Sequence, residues 1–420
     1  MPSLRLTADW LVPVIAPPIA GGAILIGEDG RVQAAGAAAD VPHPPGVPEL
    51  QFANTALIPG MVNAHTHLEL TGMAGRAEEQ DFVAWIAVIR RLKAERSPAE
   101  FLAAAREGLR ACWAAGVTTV ADTGDSGATL AALTDLGGSG IAYQEVFGPH
   151  PDQLRDEFAT LCARVDAQFP IQTPRARLGV SPHAPYTVSG ALYRATADLA
   201  RSRDLPIAVH IAESAAESAL LADGAGGFGD AWRRRGIPLP AAGRTPVGWL
   251  AEHDALGSRT LCIHAVRLGE ADVESIRSAG AAVAHCPLSN RRHGHGDAPL
   301  RALLDAGIAV GVGTDSEASV GALDLLAEAR IARELASLDA REALHLATAG
   351  AAVALGLGEE VGALTPGRWG DVAAIGLPPG FRGDAAESVE GVVLSSRPPD
   401  IVGTWIGGRR AWAAPGVTNR

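Results

Sequence analysis

The stretch Leu57-Ile-Pro-Gly-Met-Val-Asn-Ala-His-Thr-His-Leu-Glu-Leu70 decides the fold, because it joins an apolar run to two histidines. The apolar residues before His65 are typical of a buried β-strand. Alternate side chains of an extended strand point to the same side, so the imidazoles of His65 and His67 can reach one point. Two neutral imidazoles at a strand end are half of a tetrahedral or five-coordinate metal site. The stretch predicts such a site if other strands supply the remaining ligands.

The composition argues against several classes of protein. The chain has 420 residues, of which 47% are hydrophobic, and a net charge of −12 at pH 7. This acidic balance argues against nucleic acid or an anionic membrane as a partner, because both attract basic patches. The four cysteines have no CxxC spacing, which favours reduced thiols in a cytoplasm over a disulfide framework. Prolines and Asp9 interrupt the apolar N-terminus, so we predict neither a signal peptide nor a transmembrane span.

Short strands and turns are predicted at both ends of the chain. Near the N-terminus, Ala23–Ile26 and Arg31–Ala34 flank Gly30 and predict a β-hairpin. After Ala354 the sequence no longer indicates helices. The segments there that are typical of strands and turns are Gly362–Arg368, Asp371–Ile375, Gly391–Leu394 and Ile401–Trp412.

Between these ends, apolar strands alternate with amphipathic helices. Apolar residues at helical spacing from Phe82 to Leu92 predict one helix. Ser97-Pro-Ala-Glu100 is a capping box with proline at the first helical position, which predicts the start of another. Eight βα units of this kind predict a (β/α)8 TIM barrel. Its strands are the one that ends near His67, then Val117–Ala121, Ile141–Phe147, Arg177–Ser181, Ile207–Ile211, Thr260–His264, Ala281–His285 and Ile308–Gly313.

The two patterns together predict an α/β fold with two domains. We expect the barrel at residues 57–362. Because the chain ends bracket it, we expect residues 1–56 and 363–420 to pair into one small composite β-sandwich domain.

The ends of the predicted strands carry titratable residues. The active sites of TIM barrels lie at this C-terminal mouth. A purely structural barrel has no need of a titratable residue at each strand exit, so the pattern predicts a catalytic site. In chain order these residues are His65, His67, Asp122, Glu145, His183, His210, His264, His285 and Asp315.

Four of these residues are the predicted metal ligands: His65, His67, His210 and Asp315. Three imidazoles and a carboxylate suit one Zn²⁺ per chain, and would also hold Fe²⁺. A binuclear version needs a bridging ligand, usually a carboxylated lysine on strand three or four. The only lysine, Lys93, lies in a helical pattern. We therefore expect a single metal ion.

Glu213, His264 and Asp315 are the predicted catalytic residues. Glu213 follows the ligand His210 by three residues, so its carboxylate can take a proton from a metal-activated water and pass it to a substrate nitrogen. His264 can orient the nucleophile or polarise the attacked carbon, with a buried structural histidine as the alternative. Asp315 can ligate the metal and also accept the proton of the water.

Several motifs in this order resemble those of the amidohydrolase superfamily, over about Leu57 to Ile375. The closest match is the branch of mononuclear deaminases and triazine hydrolases, and within it the deaminases of S-adenosylhomocysteine, methylthioadenosine and 6-aminodeoxyfutalosine. The resemblance implies a TIM barrel with a split β-sandwich, zinc or iron, and hydrolytic removal of a group from a ring carbon. The motifs are His65-Thr-His67, Ser181-Pro-His-Ala-Pro-Tyr186, His210-Ile-Ala-Glu213, His264, His285-Cys-Pro-Leu-Ser-Asn290 and Gly313-Thr-Asp-Ser316.

The resemblance also suggests residues that contact the substrate. Phe82 and Trp85 match a Phe-x-x-Trp pattern, and His183 matches a histidine that touches the purine. Trp85 can stack on a substrate ring, although it also belongs to an apolar helical stripe. Glu69 is a candidate contact for a ribose hydroxyl or an amine, with a solvated acid as the alternative.

The segment Asn290–Gly296 departs from the family pattern, because it carries two arginines and two histidines. Asn290 and His293 are candidate substrate contacts. A basic loop over the mouth suggests an anionic group on the substrate, such as a carboxylate. We do not expect the His293-x-His295 pair to bind metal, because it lies in a glycine-rich loop.

The segment Gly224–Gly229 is either a lid or a surface loop.

We therefore predict a metal-dependent aminohydrolase that deaminates an aromatic N-heterocycle, an adenine nucleoside derivative of the kinds named above. A triazine hydrolase that removes chloride or an alkylamine is the nearest alternative, and ammonia release would separate the two. An amidase or dipeptidase is another, and a binuclear metal content would favour it. A barrel that binds without catalysis should lack a ligand or the proton shuttle. The expected partners are a small-molecule substrate and water, and a homodimer is compatible with the sequence.

Overall fold

The computed structural model describes residues 2–383 and 388–415. Its strands form two sheets, one from the middle of the chain and one from both ends. The strands are β1 (Leu4–Leu11), β2 (Ile19–Ile26), β3 (Val32–Ala37), β4 (Glu49–Pro59), β5 (Met61–Thr66), β6 (Val117–Gly124), β7 (Ser139–Val146), β8 (Ala176–Pro182), β9 (Ile207–Ile211), β10 (Thr260–His264), β11 (Ala282–His285), β12 (Val310–Val312), β13 (Val372–Gly376), β14 (Ile401–Ile406) and β15 (Arg409–Ala413).

The helices lie mostly between the strands of the middle sheet. They are α1 (Phe82–Ala94), α2 (Pro98–Ala114), α3 (Ala128–Leu136), α4 (Leu154–Gln168), α5 (Gly190–Arg203), α6 (Ala215–Asp223), α7 (Gly226–Arg234), α8 (Pro246–Glu252), α9 (Glu270–Ala279), α10 (Pro287–Arg292), α11 (Leu300–Asp305), α12 (Glu317–Val320), α13 (Leu325–Ala336), α14 (Ala340–Leu346), α15 (Ala349–Ala354) and α16 (Val389–Ser395).

The eight strands β5 to β12 run parallel, in sequence order, around a nearly closed barrel. The backbone N of Asp315 donates to the carbonyl O of His65 at 3.1 Å, which joins the end of the last strand to the first. Every residue of β7 and β9 is buried, as expected of parallel strands that are covered on both faces. The predicted TIM barrel is confirmed, and its closure lies at the same end as the predicted metal ligands.

The strands of both chain ends form one sheet in the order β15-β14-β13-β4-β1-β2-β3. The predicted hairpin is present, because β2 and β3 pair antiparallel from Gly22 opposite Ala37 to Ile26 opposite Val32. Leu6, Ile24 and Trp405 pack in the apolar cluster beside this sheet. A small β domain made from both ends is therefore confirmed as part of the fold class, whereas the boundaries at residues 57 and 363 stay a prediction.

The apolar run before His65 is not one strand but two. β4 pairs with β1 and β13 in the sheet of the chain ends, whereas β5 pairs with β6 in the barrel. Gly60 separates them, and a Cβ at this position would lie 2.3 Å from the side chain of Thr118, so only glycine fits. The first metal-ligand segment is thus anchored directly to the other sheet.

One predicted strand is wrong. Gly391–Leu394 lies in the helix α16, whose N-terminus is capped by Ser388, with the Gly391 N donating to the Ser388 Oγ at 3.1 Å. The buried valines of α16 face α13 and α14. A valine-rich run has high strand propensity, but packing on neighbouring helices overrides that preference.

Of two further segments, one has the predicted structure and the other differs from it. The predicted capping box is present at α2, where the N of Ser97 donates to Glu100 Oε2 at 2.7 Å. The glycine-rich segment Gly224–Gly229 enters α7 rather than an open loop, and Phe228 stacks on Tyr186 with ring centroids 4.0 Å apart. This segment is therefore a packed wall beside the barrel mouth.

The four cysteines are free, as predicted, and Cys112, Cys262 and Cys286 are buried. Within residues 2–383 and 388–415, no helix has both the length and the apolar character needed to cross a membrane.

Candidate active site

Three imidazoles and a carboxylate meet at the C-terminal mouth of the barrel. Ligand atoms of His65, His67 and His210 lie within 4.8 Å of one another, and the Nε2 atoms of His67 and His210 are 3.2 Å apart. The Asp315 Oδ1 lies 3.7 Å from the His65 Nε2 and 3.6 Å from the His67 Nε2. The structure thus brings together the four residues that the sequence nominated as ligands.

The hydrogen bonds of these imidazoles fit a bound cation. The Nδ1 atoms of His67 and His210 lie 2.8 and 3.1 Å from the carbonyl oxygens of Thr123 and His183, so each Nδ1–H donates and leaves Nε2 a free lone pair. Neither ring nitrogen of the buried His65 has a hydrogen-bond partner among the described residues. Burial lowers the pKa of all three imidazoles, which keeps them neutral. Converging neutral imidazole nitrogens with free lone pairs are suited to a divalent metal ion.

Asp315 is held in place by groups on both sides of its carboxylate. Ser289 Oγ donates to Oδ2 at 2.6 Å, and the Ser316 N donates to Oδ1 at 2.8 Å. A Cβ at Gly313 would lie 2.6 Å from the backbone N of His65, so glycine is required for β12 to approach β5. Burial alone would raise the pKa of Asp315, but its contacts with the imidazoles hold this pKa well below the usual range. The carboxylate is therefore ionised.

Glu213 lies directly beyond β9, and three side chains surround its carboxylate. The Nε2 atoms of His264 and His295 lie 3.5 and 3.4 Å from Oε1, and the Tyr186 OH donates to Oε2 at 3.3 Å. The backbone N of Glu213 donates to Glu217 Oε2 at 2.8 Å, which fixes the loop. Burial opposes ionisation, but the two histidines outweigh it and lower the pKa of Glu213 to about 2. Glu213 is thus a carboxylate at rest, which is the form that accepts protons.

His264 is oriented by Asn290 behind it. The Nδ1 of His264 lies 3.0 Å from the Asn290 Oδ1, and because an amide oxygen only accepts, Nδ1 carries the proton. The Nε2 of His264 is then the atom that faces Glu213. Asn290 is fully buried and is not among the residues that line the cavity, so it does not have the position that a substrate contact requires. His285 lies next to His264, with its Nδ1 3.3 Å from the carbonyl O of His264.

Glu69 is also outside the cavity lining, contrary to its predicted role as a substrate contact. Its carboxylate pairs with the Lys93 Nζ at 2.6 Å and accepts a hydrogen bond from Ser126, while Lys93 also lies 2.5 Å from the Asp125 Oδ1. Burial alone would raise the pKa of Glu69, but the Lys93 ammonium holds it well below the usual range. A buried carboxylate with these partners is not available to a ribose hydroxyl. Lys93 is likewise engaged by carboxylates rather than by the histidine cluster.

The Lys93→Met substitution removes the cation from this pair. We expect the free energy of unfolding to fall by about 3–5 kcal/mol, because a buried carboxylate at Glu69 loses its counter-ion. Urea denaturation at neutral pH measures the change. The double variant Lys93→Met/Glu69→Gln is the control and should recover part of the loss, since Glu69 no longer carries a charge. A single variant as stable as the parent would contradict the structural role of the pair.

A cavity of about 200 Å³ opens beside the metal-ligand cluster. Three of the predicted substrate contacts, Trp85, His183 and His293, line it. The rings of Trp85 and His293 pack edge to face, with centroids 4.5 Å apart. The other lining residues that carry the chemistry or form the aromatic wall are His67, Phe82, Glu145, Phe147, Tyr186, His210, Glu213, His264 and Asp315.

Glu145 also reaches this cavity, and its Oε1 has no hydrogen-bond partner among the described residues. Burial raises its pKa well above the usual range, which favours the protonated acid.

The two arginines of the segment Asn290–Gly296 do not face the cavity. Arg291 pairs with Asp297 at 3.0 Å, and the Arg292 Nη1 lies 3.5 Å from the carbonyl O of Ser319. Neither lines the cavity. The anion contact stays a prediction, which the positions of the two arginines on the helix α10 do not support.

Sequence reasoning missed three side chains that hold the site together: Tyr186, Ser289 and His295. Tyr186 lies in the motif Ser181–Tyr186 and Ser289 in the motif His285–Asn290, so both belong to motifs of the sequence that resemble the family. His295 was considered only as a metal ligand, and its contact with Glu213 depends on a loop path that no local pattern predicts.

Comparison with known proteins places this geometry among hydrolases. The sequence matches the Amidohydrolase family over residues 56–411. An aminodeoxyfutalosine deaminase of Deinococcus radiodurans is 32% identical, over 79% of this chain and 80% of that protein. A 5-methylthioadenosine/S-adenosylhomocysteine deaminase of Syntrophobacter fumaroxidans is 29% identical, over 86% and 81%.

Solved structures agree with the fold. An adenosine deaminase from Xanthomonas campestris with bound zinc has a TM-score of 0.85 and 25% identity, and the match covers 99% of this chain and 94% of that one. The atrazine chlorohydrolase TrzN of Arthrobacter aurescens, complexed with zinc, has a TM-score of 0.79 and 23% identity, over 97% and 94%. At that identity the second match shows a shared fold only.

Proposed function

This chain belongs to the amidohydrolase family, and from that premise we propose that it deaminates an aromatic N-heterocycle, an adenine nucleoside derivative, with release of ammonia. One observation carries the proposal. The ionised carboxylate of Glu213 lies beside the histidine cluster at the end of a cavity, with the Nε2 of His264 3.5 Å away. Relatives named as aminodeoxyfutalosine and methylthioadenosine/S-adenosylhomocysteine deaminases support the substrate class.

The proposed cofactor is one zinc ion per chain, held by His65, His67, His210 and Asp315. Three neutral imidazoles and a carboxylate are a donor set that Zn²⁺ prefers and that Fe²⁺ also accepts. The zinc in the Xanthomonas campestris structure supports zinc over iron. When bound, the metal supplies Lewis-acid activation of water at neutral pH.

Glu213 is the proposed proton carrier. As a carboxylate it accepts a proton from the attacking water and donates it to the ring nitrogen next to the amino-bearing carbon. Water thereby adds its oxygen to that carbon, the amino group leaves as ammonia, and the ring carbon becomes a carbonyl. Tyr186 and His295 hold the carboxylate in position for both transfers. His264 and Asp315 stabilise the tetrahedral carbon from the side of the histidine cluster.

His183 is the proposed contact for the purine. The Thr187 Oγ1 donates to the carbonyl O of Ala184, so it accepts from the Nδ1–H of His183, which lies 2.8 Å away. Burial lowers the pKa of His183 to about 3, so the ring is neutral and its Nε2 is an acceptor. Trp85 supplies an apolar wall on which an aromatic base can stack.

The test is a screen for ammonia release, with metal content measured on the same preparation. We expect the zinc-loaded protein to deaminate at least one of adenosine, methylthioadenosine, S-adenosylhomocysteine and 6-aminodeoxyfutalosine, with kcat/KM of about 10⁴ M⁻¹s⁻¹ or more for the preferred substrate. Chloride release from a triazine without nucleoside deamination would contradict the proposal. Dipeptide hydrolysis with a binuclear metal content would contradict it as well.

We also propose a cytoplasmic location, which the four free cysteines support. A homodimer stays a prediction.

A further inference from the structure

Two arginines line the exposed part of the cavity. Arg90 lies near the C-terminal end of α1, and Arg235 follows α7 directly as its C-cap. Both side chains are exposed, whereas the catalytic residues at the other part of the lining, such as Glu213 and His264, are buried. The cavity therefore has an acidic, histidine-rich inner end and a basic outer end.

Among the described residues, no hydrogen bond or ion pair engages the side chain of Arg90 or Arg235. Glu157 also lines the cavity, but its carboxylate is not within 4.0 Å of either guanidinium. Burial and the charge of Arg90 both lower the pKa of Arg235, so the two cations repel each other. An anion bound between two like-charged guanidinium groups attracts both of them and offsets their mutual repulsion.

The backbone positions of the two arginines are fixed by packing. Trp85 and Ile89 on α1 belong to the same buried cluster as Phe228 and Trp232 on α7. The Nε1 of Trp232 also donates to the carbonyl O of Tyr186 at 2.9 Å, which ties α7 to the wall of the cavity. The arginines are therefore carried by preorganised elements rather than by loose loops.

We propose that Arg90 and Arg235 form a subsite for an anionic group, a carboxylate or a phosphate, on the 5′ substituent of the nucleoside. This inference rests on the proposed function, which places the amino-bearing ring carbon beside Glu213. The sugar and its 5′ substituent then extend toward the exposed end of the cavity. Both arginines line the same cavity as Glu213 and His264, so one bound nucleoside can contact both ends of it. The planar fork of arginine matches the oxygens of both anions.

The test compares two nucleosides that share adenine, ribose and a thioether. S-adenosylhomocysteine carries a carboxylate on its 5′ arm, and methylthioadenosine carries no charge. We expect the wild-type protein to favour S-adenosylhomocysteine, and Arg90→Met and Arg235→Met each to lower the ratio of the two kcat/KM values by roughly 10-fold. Adenosine 5′-monophosphate, measured against adenosine, tests the phosphate in the same way. The pair with the larger kcat/KM ratio of charged to uncharged nucleoside shows whether the subsite prefers a carboxylate or a phosphate.

The chain provides matched controls, because Arg91 and Arg234 are sequence neighbours of the two arginines and do not line the cavity. Arg91→Met and Arg234→Met should leave both ratios unchanged. Added salt should reduce the preference for the anionic nucleoside in the wild-type protein, because salt screens exposed charges. A wild-type protein without preference for either anion, or an Arg90→Met/Arg235→Met double variant with an unchanged ratio, would overturn the subsite.

Binding measurements separate the subsite from the proposed function. Isothermal titration gives dissociation constants for the same nucleosides without any need for turnover. If no nucleoside is deaminated, the proposed function fails, but a ratio of dissociation constants that depends on Arg90 and Arg235 still supports the subsite. If deamination occurs and neither ratio responds to these substitutions, the subsite alone fails. If no nucleoside binds, both fail.

Discussion

The Glu213→Gln variant should lose roughly 10²- to 10⁴-fold in kcat while it keeps its metal ion. Glutamine has the shape of glutamate, so the hydrogen bond from Tyr186 at Oε2 can persist. The amide cannot accept the proton of the water or pass it to the ring nitrogen. Steady-state ammonia release and metal analysis on the same sample measure the two quantities. The metal is retained because Glu213 is not one of the four converging ligands.

The matched control for this variant is Glu157→Gln. Glu157 lines the same cavity but has no contact with the histidine cluster among the described residues. Its substitution changes the charge of the cavity by the same amount, so it isolates the effect of proton transfer from that of electrostatics. We expect a small change in kcat. If Glu213→Gln turned over as fast as the wild-type protein, another group would have to carry the proton.

Removal of the metal should abolish turnover and destabilise the fold. Dialysis against a chelator leaves the converging nitrogens of His65, His67 and His210 without a metal ion, and added zinc should restore ammonia release. A ligand that binds only the folded state stabilises it by about 4 kcal/mol when its free concentration is about 1000 times its Kd. Thermal unfolding with and without zinc should therefore show a higher Tm for the loaded protein.

A ligand variant tests the composition of the site. His210→Asn removes one of the converging nitrogens and should lower both the bound metal and the turnover. His43→Asn is the control, because His43 is exposed and lies far along the chain in the sheet domain. Metal-free protein with wild-type turnover, or His210→Asn protein with full metal content and activity, would contradict the proposed centre.

The metal-ligand cluster is the part of the site that the sequence predicts best. His65 and His67 are two residues apart on a strand, and the other two candidates also follow strands of a parallel barrel. Parallel strands bring their carboxyl ends to one edge, so strand order alone places these residues together. The same argument brings Glu213 to the mouth, because it follows His210 by three residues.

The surroundings of Glu69 and Asn290 were not predictable in the same way. The sequence places Glu69 two residues after the ligand His67, but its carboxylate pairs with Lys93 from α1, 24 positions further along. Asn290 lies on α10, after β11, and contacts His264 at the end of the neighbouring strand β10. Such pairings depend on how a helix or loop crosses the mouth, and no periodicity within one segment encodes that path.

By itself, the sequence determined the alternation of strands and helices, the barrel, and the residues at its strand ends. These follow from local physics, because hydrophobic periodicity and capping act over a few neighbouring residues. Only the tertiary structure decided that His295 supports Glu213, that the run before His65 divides at Gly60, and that Arg90 and Arg235 face one cavity. The physical reason is that each of these depends on contacts between distant segments, and the free energy of such contacts is set by the packing of the whole chain.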